Sequence, residues 1–209
     1  EFVFKDSGSD VEKVRANSNI TLDASDSSGP DGEIKEYRWD FGDGIERTTN
    51  ESSTEYSWSA GGYYNVTLMV VDENDETGEI TKILQVVPED YSDEGQDGTF
   101  VAQNSDENYN LDVEIFVSSV EVEFSEIGCV GVGGLDYSIT VQDSSGSDIG
   151  SNQGSIGCGG ETASWGSTFF DNEGDGLELG EYQVTIAFTN SGTPVQANWD
   201  YRLAITYDF

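Results

Sequence analysis

Apolar residues in this chain recur at every second position in short runs, and Gly, Ser, Asp and Asn cut the runs apart. A period of two marks a strand with one buried face, and no long window keeps the 3.6-residue period of an amphipathic helix. In the first half the pattern predicts strands over Ile20 to Ala24, Ile34 to Phe41, Thr54 to Trp58, Tyr63 to Val71 and Glu79 to Val87, with Phe2 to Phe4 as an additional one. In the second half it predicts Leu111 to Val117, Val120 to Phe124, Leu135 to Val141, Thr162 to Phe169, Glu181 to Phe188 and Trp199 to Tyr207. Tyr182, Val184, Ile186 and Phe188 fall on one side of their strand, with Gln183 and Thr185 on the other. Ser27 to Gly32 and Asp72 to Gly78 carry turn chemistry. The fold class is therefore all-β, and strands at this spacing pack as sandwiches.

At 209 residues the chain suits two domains. Between Val87 and Thr99 the sequence is acidic and nearly without apolar residues. The expected organisation is a first sandwich over 1–88, an acidic linker over 89–99 and a second sandwich over 100–209.

Charge changes the picture next. Forty-two acidic residues stand against eight basic ones, giving −34 with no histidine. Phosphate binding needs a basic footprint, so nucleic acid is excluded as a partner. Without His, every histidine-dependent triad and His-ligated zinc site is excluded as well. So large a charge opposes compaction, yet four Trp, ten Tyr and ten Phe in alternating runs supply a core. Molar salt shrinks the Debye length to about 3 Å and removes most of the repulsion, which fits a halophile. After Lys82 the only basic residue is Arg202, so surface ion pairs contribute little to the second half.

Two features, sequons and cysteines, point outside the cell. Asn19, Asn50 and Asn65 each head an Asn-x-Ser/Thr sequon. Cys129 and Cys158 are the only cysteines, expected as a disulfide with two buried thiols as the alternative. No stretch reaches the roughly 20 apolar residues of a membrane span, and no leader heads the chain, as in a mature or trimmed protein.

The most specific string is Trp39-Asp40-Phe41-Gly42-Asp43-Gly44, preceded by Leu22-Asp23-Ala24-Ser25-Asp26-Ser27-Ser28-Gly29-Pro30-Asp31-Gly32 and followed by Gly61-Gly62-Tyr63-Tyr64-Asn65-Val66-Thr67-Leu68. Trp39 and Phe41 share one face, Gly42 and Gly44 permit a tight turn, and Asp40 and Asp43 can accept from its amides. Over roughly residues 12–87 this succession resembles the immunoglobulin-like PKD family, of the kind found in haloarchaeal-type surface proteins. The second half, with Leu135 to Val141 and Leu179-Gly180-Glu181-Tyr182-Gln183-Val184, is similar to the jelly-roll domains of pre-peptidase C-terminal type. The resemblance implies two tandem β-sandwiches, a spacer, adhesion or accessory binding role, and no catalysis.

Hard cations favour carboxylates on loops, so Asp26, Asp31, Asp43 and Asp72 are candidate calcium ligands, with solvated acidic loops as the alternative. Asp171 to Gly176 is a second such loop, without EF-hand spacing. Trp58, Tyr63, Tyr64, Trp165 and Trp199 are candidate sugar platforms, although their strand positions favour the core. Nothing singles out a pair of carboxylates for glycoside hydrolysis. The expected function is a non-catalytic structural or adhesive surface protein, such as a subunit of a filament, pilus or surface layer. Its expected partners are its own copies or other surface proteins, joined by strand addition through Phe2, Val3 and Phe4, a segment that could instead pair at the edge of its own sheet. The alternative is an accessory module of a secreted hydrolase that binds glycan or protein.

Overall fold

The computed structural model describes residues 1–170, 177, 179–190, 192–207 and 209. Among them there are strands, turns and bends and no helix, so no helix is long and apolar enough to cross a membrane. The chain divides into two compact units, Glu1–Glu89 with Phe209, and Asp90–Asp208.

The first unit holds β1 (Val3–Asp6), β2 (Ser9–Val11), β3 (Lys13–Arg15), β4 (Ile20–Asp23), β5 (Ile34–Asp40), β6 (Glu46–Thr49), β7 (Ser53–Tyr56), β8 (Gly62–Asp72) and β9 (Thr77–Val87). Its sheets run β2-β1-β4-β7 and β3-β9-β8-β5-β6. Their pairs are antiparallel except β3 on β9. Alternation decides the inner faces. Leu22 from one sheet and Trp39, Val66, Leu68, Leu84 and Val86 from the other form a common core, joined by Phe41 and Trp58. Each large side chain removed from water there contributes about 2–3 kcal/mol.

Of the two roles open to the N-terminal segment, it takes the one within its own sheet. Phe2, Val3 and Phe4 are not held out for another subunit, because β1 pairs with β2 on one side and β4 on the other. Phe2 is 1% and Phe4 3% exposed, and Phe2 meets both Phe4 and Trp39 edge to face at 5.3 Å. Donating this strand would strip two aromatics from their own core, at several kcal/mol.

The second unit holds β10 (Tyr91–Val101), β11 (Asn104–Val113), β12 (Val117–Val130), β13 (Gly134–Gln142), β14 (Asp148–Gly157), β15 (Thr162–Phe170), β16 (Gly180–Thr189) and β17 (Val195–Tyr207). The sheet orders β10-β17-β12-β15 and β11-β16-β13-β14 are those of an eight-stranded jelly roll. Tyr182, Val184, Ile186 and Phe188 all point inward, as their spacing requires.

Two boundaries differ from expectation. Residues 89–99 are not a linker: Tyr91 to Val101 pairs residue for residue with β17, from Tyr91 opposite Ile205 to Val101 opposite Val195. Backbone ladder bonds hold this edge strand, so its side chains can stay acidic and exposed. The predicted strand Leu111 to Val117 is two, since β11 stops at Val113 and Phe116, at φ 71°, turns the chain into β12. Cys129 and Cys158 form a disulfide with Cα atoms 4.8 Å apart. It links β12 in one sheet to the residue after β14 in the other.

Candidate functional site

The Trp39 to Gly44 string closes the β5–β6 hairpin, and nearly every polar group in it serves the turn. Asp40 accepts from the Gly42 amide at 2.9 Å, and the Phe41 amide donates to the Ile45 carbonyl at 3.1 Å. Asp43 accepts from the Ile45 amide at 3.1 Å and from the Tyr56 hydroxyl at 2.7 Å. Burial, reinforced by the Asp43 carboxylate, pushes the Tyr56 hydroxyl up to about 12. Tyr56 stacks on Phe41 at 3.7 Å, and the Trp58 indole donates to the Phe41 carbonyl at 3.0 Å. Gly42 and Gly44 lie at φ 79° and 88°, the left-handed region that L side chains resist. At Gly42 a Cβ would also stand 2.8 Å from the Asn65 carbonyl oxygen, whereas at Gly44 it would meet open space.

The four aspartates proposed for calcium do not converge. Asp72 is fully buried and accepts from the amides of Asp31, Asn74 and Glu76 at 2.9 to 3.0 Å. Burial works to raise its carboxyl pKa, but those three amides outweigh it and hold it below the usual range. Asp31 meets Asp72 through its backbone, and its own carbonyl accepts from the Asn74 amide group. Asp43 belongs to the other turn, and Asp26 is exposed. Among the described residues no group of three or more acidic or Cys side chains could hold a metal ion. The loop 171–176 lies outside the described residues. Asp23, not singled out from sequence, accepts from Lys5 at 2.5 Å. That bond, with the Ser25 amide, lowers its pKa to about 2.

The five aromatic candidates separate. Trp58 and Trp199 are buried, with Trp199 donating to the Tyr109 hydroxyl at 2.9 Å and Tyr109 to Asp97 at 2.6 Å. Burial, then the Asp97 carboxylate, raises the Tyr109 hydroxyl. Trp165 and Tyr64 are half-buried. Tyr63 corrects the expectation of a core role: Val66, Leu68 and Val70 claim the inner face of β8, so Tyr63 points outward and is 62% exposed. Asn19, Asn50 and Asn65 are all exposed.

A polar depression of about 410 Å³ on the second unit carries no signal in the sequence pattern. Glu94, Gln96, Glu123, Asp200 and Arg202 line it. Arg202 donates to Glu121 at 2.6 Å and Gln96 to Asp200 at 3.1 Å. Its residues come from β10, β12 and β17, distant in sequence and brought side by side by the jelly-roll order.

Residues 7–88 match the PKD domain. Sixty-eight residues are 40% identical to part of collagenase ColA of Clostridium perfringens, and 60 residues are 37% identical to part of the pre-pro-metalloprotease PrtV of Vibrio cholerae. The matched stretches are 32% and 29% of this chain and 6% of each relative. A structure of carbohydrate-binding modules from the β-sandwich superfamily aligns over 96% of this chain and 94% of its own, at 16% identity and a TM-score of 0.39.

Proposed function

We propose, starting from the PKD domain that residues 7–88 form, that the chain is a non-catalytic structural or adhesive part of an extracellular or cell-surface protein. It works in concentrated salt, within a filament, pilus or surface layer. One observation carries the reading: the residues of the motif and its loops are spent on the scaffold itself. Trp39, Phe41 and Trp58 fill the core, while Asp40, Asp43 and Asp72 hold turns. What remains for other molecules is the outside of two rigid sandwiches.

Because β1 is internal to its sheet, self-association runs through sandwich faces rather than strand exchange. Faces carrying a share of −34 approach each other only when salt screens them, so assembly strengthens with NaCl. Electron microscopy and light scattering of the full chain from low to molar NaCl test this. Ordered assemblies appear in high salt; a monomer at every concentration and ionic strength refutes a polymeric role.

A second reading, an accessory module that binds glycan or protein for a secreted hydrolase, is favoured by the polar depression around Arg202 and by relatives that include a collagenase. Retention on insoluble polysaccharides and on collagen in molar salt, lost in Arg202→Ala or Trp165→Ala, supports it. No retention on any polymer removes it.

A further inference from the structure

Three sequons are exposed, but only one lies on a surface suited to a sugar. In β8, Tyr63, Asn65 and Thr67 are two residues apart and share the outer face. The register places Ile83 of β9 directly opposite Asn65. Tyr63 is 62% and Ile83 61% exposed, and the other exposed large hydrophobics among the described residues of the first unit are Ile45 and Phe209. On the other flank of Asn65 lies Gly42, which presents no side chain. The other sequons lack this setting. The Asn19 side chain donates to Glu55 at 3.0 Å, and Asn50 sits at a bend beside Glu51. Their neighbours two residues away, Asn17 and Thr21 or Thr48 and Ser52, are all polar.

We propose that Asn65 carries an N-linked glycan whose innermost sugar lies on the bed formed by Tyr63 and Ile83. The C–H groups on one side of a sugar ring carry partial positive charge, and the face of an aromatic ring is negative, so the two attract as well as exclude water. The co-reactant is an oligosaccharide carried on a polyprenyl phosphate. The Asn65 amide nitrogen forms a bond to the anomeric carbon, the bond from that carbon to the lipid phosphate oxygen breaks, and the lipid phosphate leaves with the electron pair. One amide proton passes to a base of the transferring enzyme, and no oxidant or reductant is required. In the folded chain the Thr67 and Thr81 hydroxyls are 2.7 Å apart, so the sequon is engaged. Transfer therefore precedes the pairing of β8 with β9, and the bed closes under a sugar already attached.

The test secretes the full chain from a host that also glycosylates a control protein. Site-resolved peptide mass spectrometry then reads occupancy at each sequon. Asn65 is expected to be occupied at least twofold more than Asn19 or Asn50, and Asn65→Gln to abolish that signal. Trimmed to one sugar, the chain should melt about 2–6 °C above Asn65→Gln, and Tyr63→Ser or Ile83→Ser should at least halve that gap. Both substitutions are at exposed positions and leave the core intact. Asn65 unmodified while the control is glycosylated overturns the proposal, as does a melting gap that both Ser variants leave unchanged. Either failure leaves the surface-module reading standing, because the assembly assay in salt does not depend on sugar.

Discussion

Replacing Cys129 and Cys158 together by Ala removes the link between the two sheets of the jelly roll without adding a buried polar group. The cross-link spans 29 residues of sequence. Loop-closure entropy for that span is about −12 cal/mol/K, so the open unfolded chain gains about 3.6 kcal/mol relative to the bridged one at 25 °C. That is a large part of the 5–15 kcal/mol by which a domain is stable, and for a unit of this size it lowers the melting midpoint by about 10–20 °C. Urea unfolding is the assay, because an uncharged denaturant leaves ionic strength fixed for a chain of charge −34. Calorimetry in the same buffer separates the second unit's transition from that of the first, which contains no cysteine and serves as internal reference. Reduced native protein should match the double variant, and m should rise as the unfolded chain expands. A loss below about 1 kcal/mol, or equal shifts of both transitions, would refute the argument.

Gly42→Ala and Gly44→Ala impose similar φ strain, about 1–2 kcal/mol, but only Gly42→Ala drives a Cβ into the Asn65 backbone. We expect Gly42→Ala to cost at least 1 kcal/mol more by denaturant titration, and equal losses would show that the close approach is unimportant. Asp23, held near 2 by Lys5, contributes stability that is complete above the ordinary carboxylate pKa of 3.8 and lost as pH falls toward 2. After allowance for solvent screening of this partly exposed pair the effect is about 1 kcal/mol. Asp23→Asn should melt lower than the native chain at pH 6 and match it near pH 2, and a constant difference would exclude the linkage. Raising NaCl from 0.1 to 1 M shortens the Debye length from about 10 to 3 Å, so the melting midpoint should climb with salt but not with sucrose of equal osmolality. A midpoint indifferent to NaCl would mean that the surface charge does not oppose folding.

Strands that bury side chains were legible in the sequence, and so was the hairpin motif. Val66, Leu68 and Val70 or Val184 and Ile186 announce an inner face because burial selects every second residue. Trp39 to Gly44 is readable because its turn bonds are local, with Asp40 and Asp43 each accepting from an amide two residues on. The strands without a signal are β2, β3, β6, β10 and β14, and every one is a sheet edge. The same limit hid the depression around Arg202 and the neighbourhood of Asn65.

The amino-acid order alone determined that this chain is all-β and that its first part has the PKD hairpin. Only the tertiary structure decided that Tyr91 to Val101 is a strand, that Phe2 and Phe4 belong to their own core, and that Ile83 stands beside Asn65. The physical reason is the range of the forces. Side-chain burial and turn hydrogen bonds leave a pattern along the chain, whereas a backbone ladder accepts almost any side chain and takes its register from a partner far away in sequence.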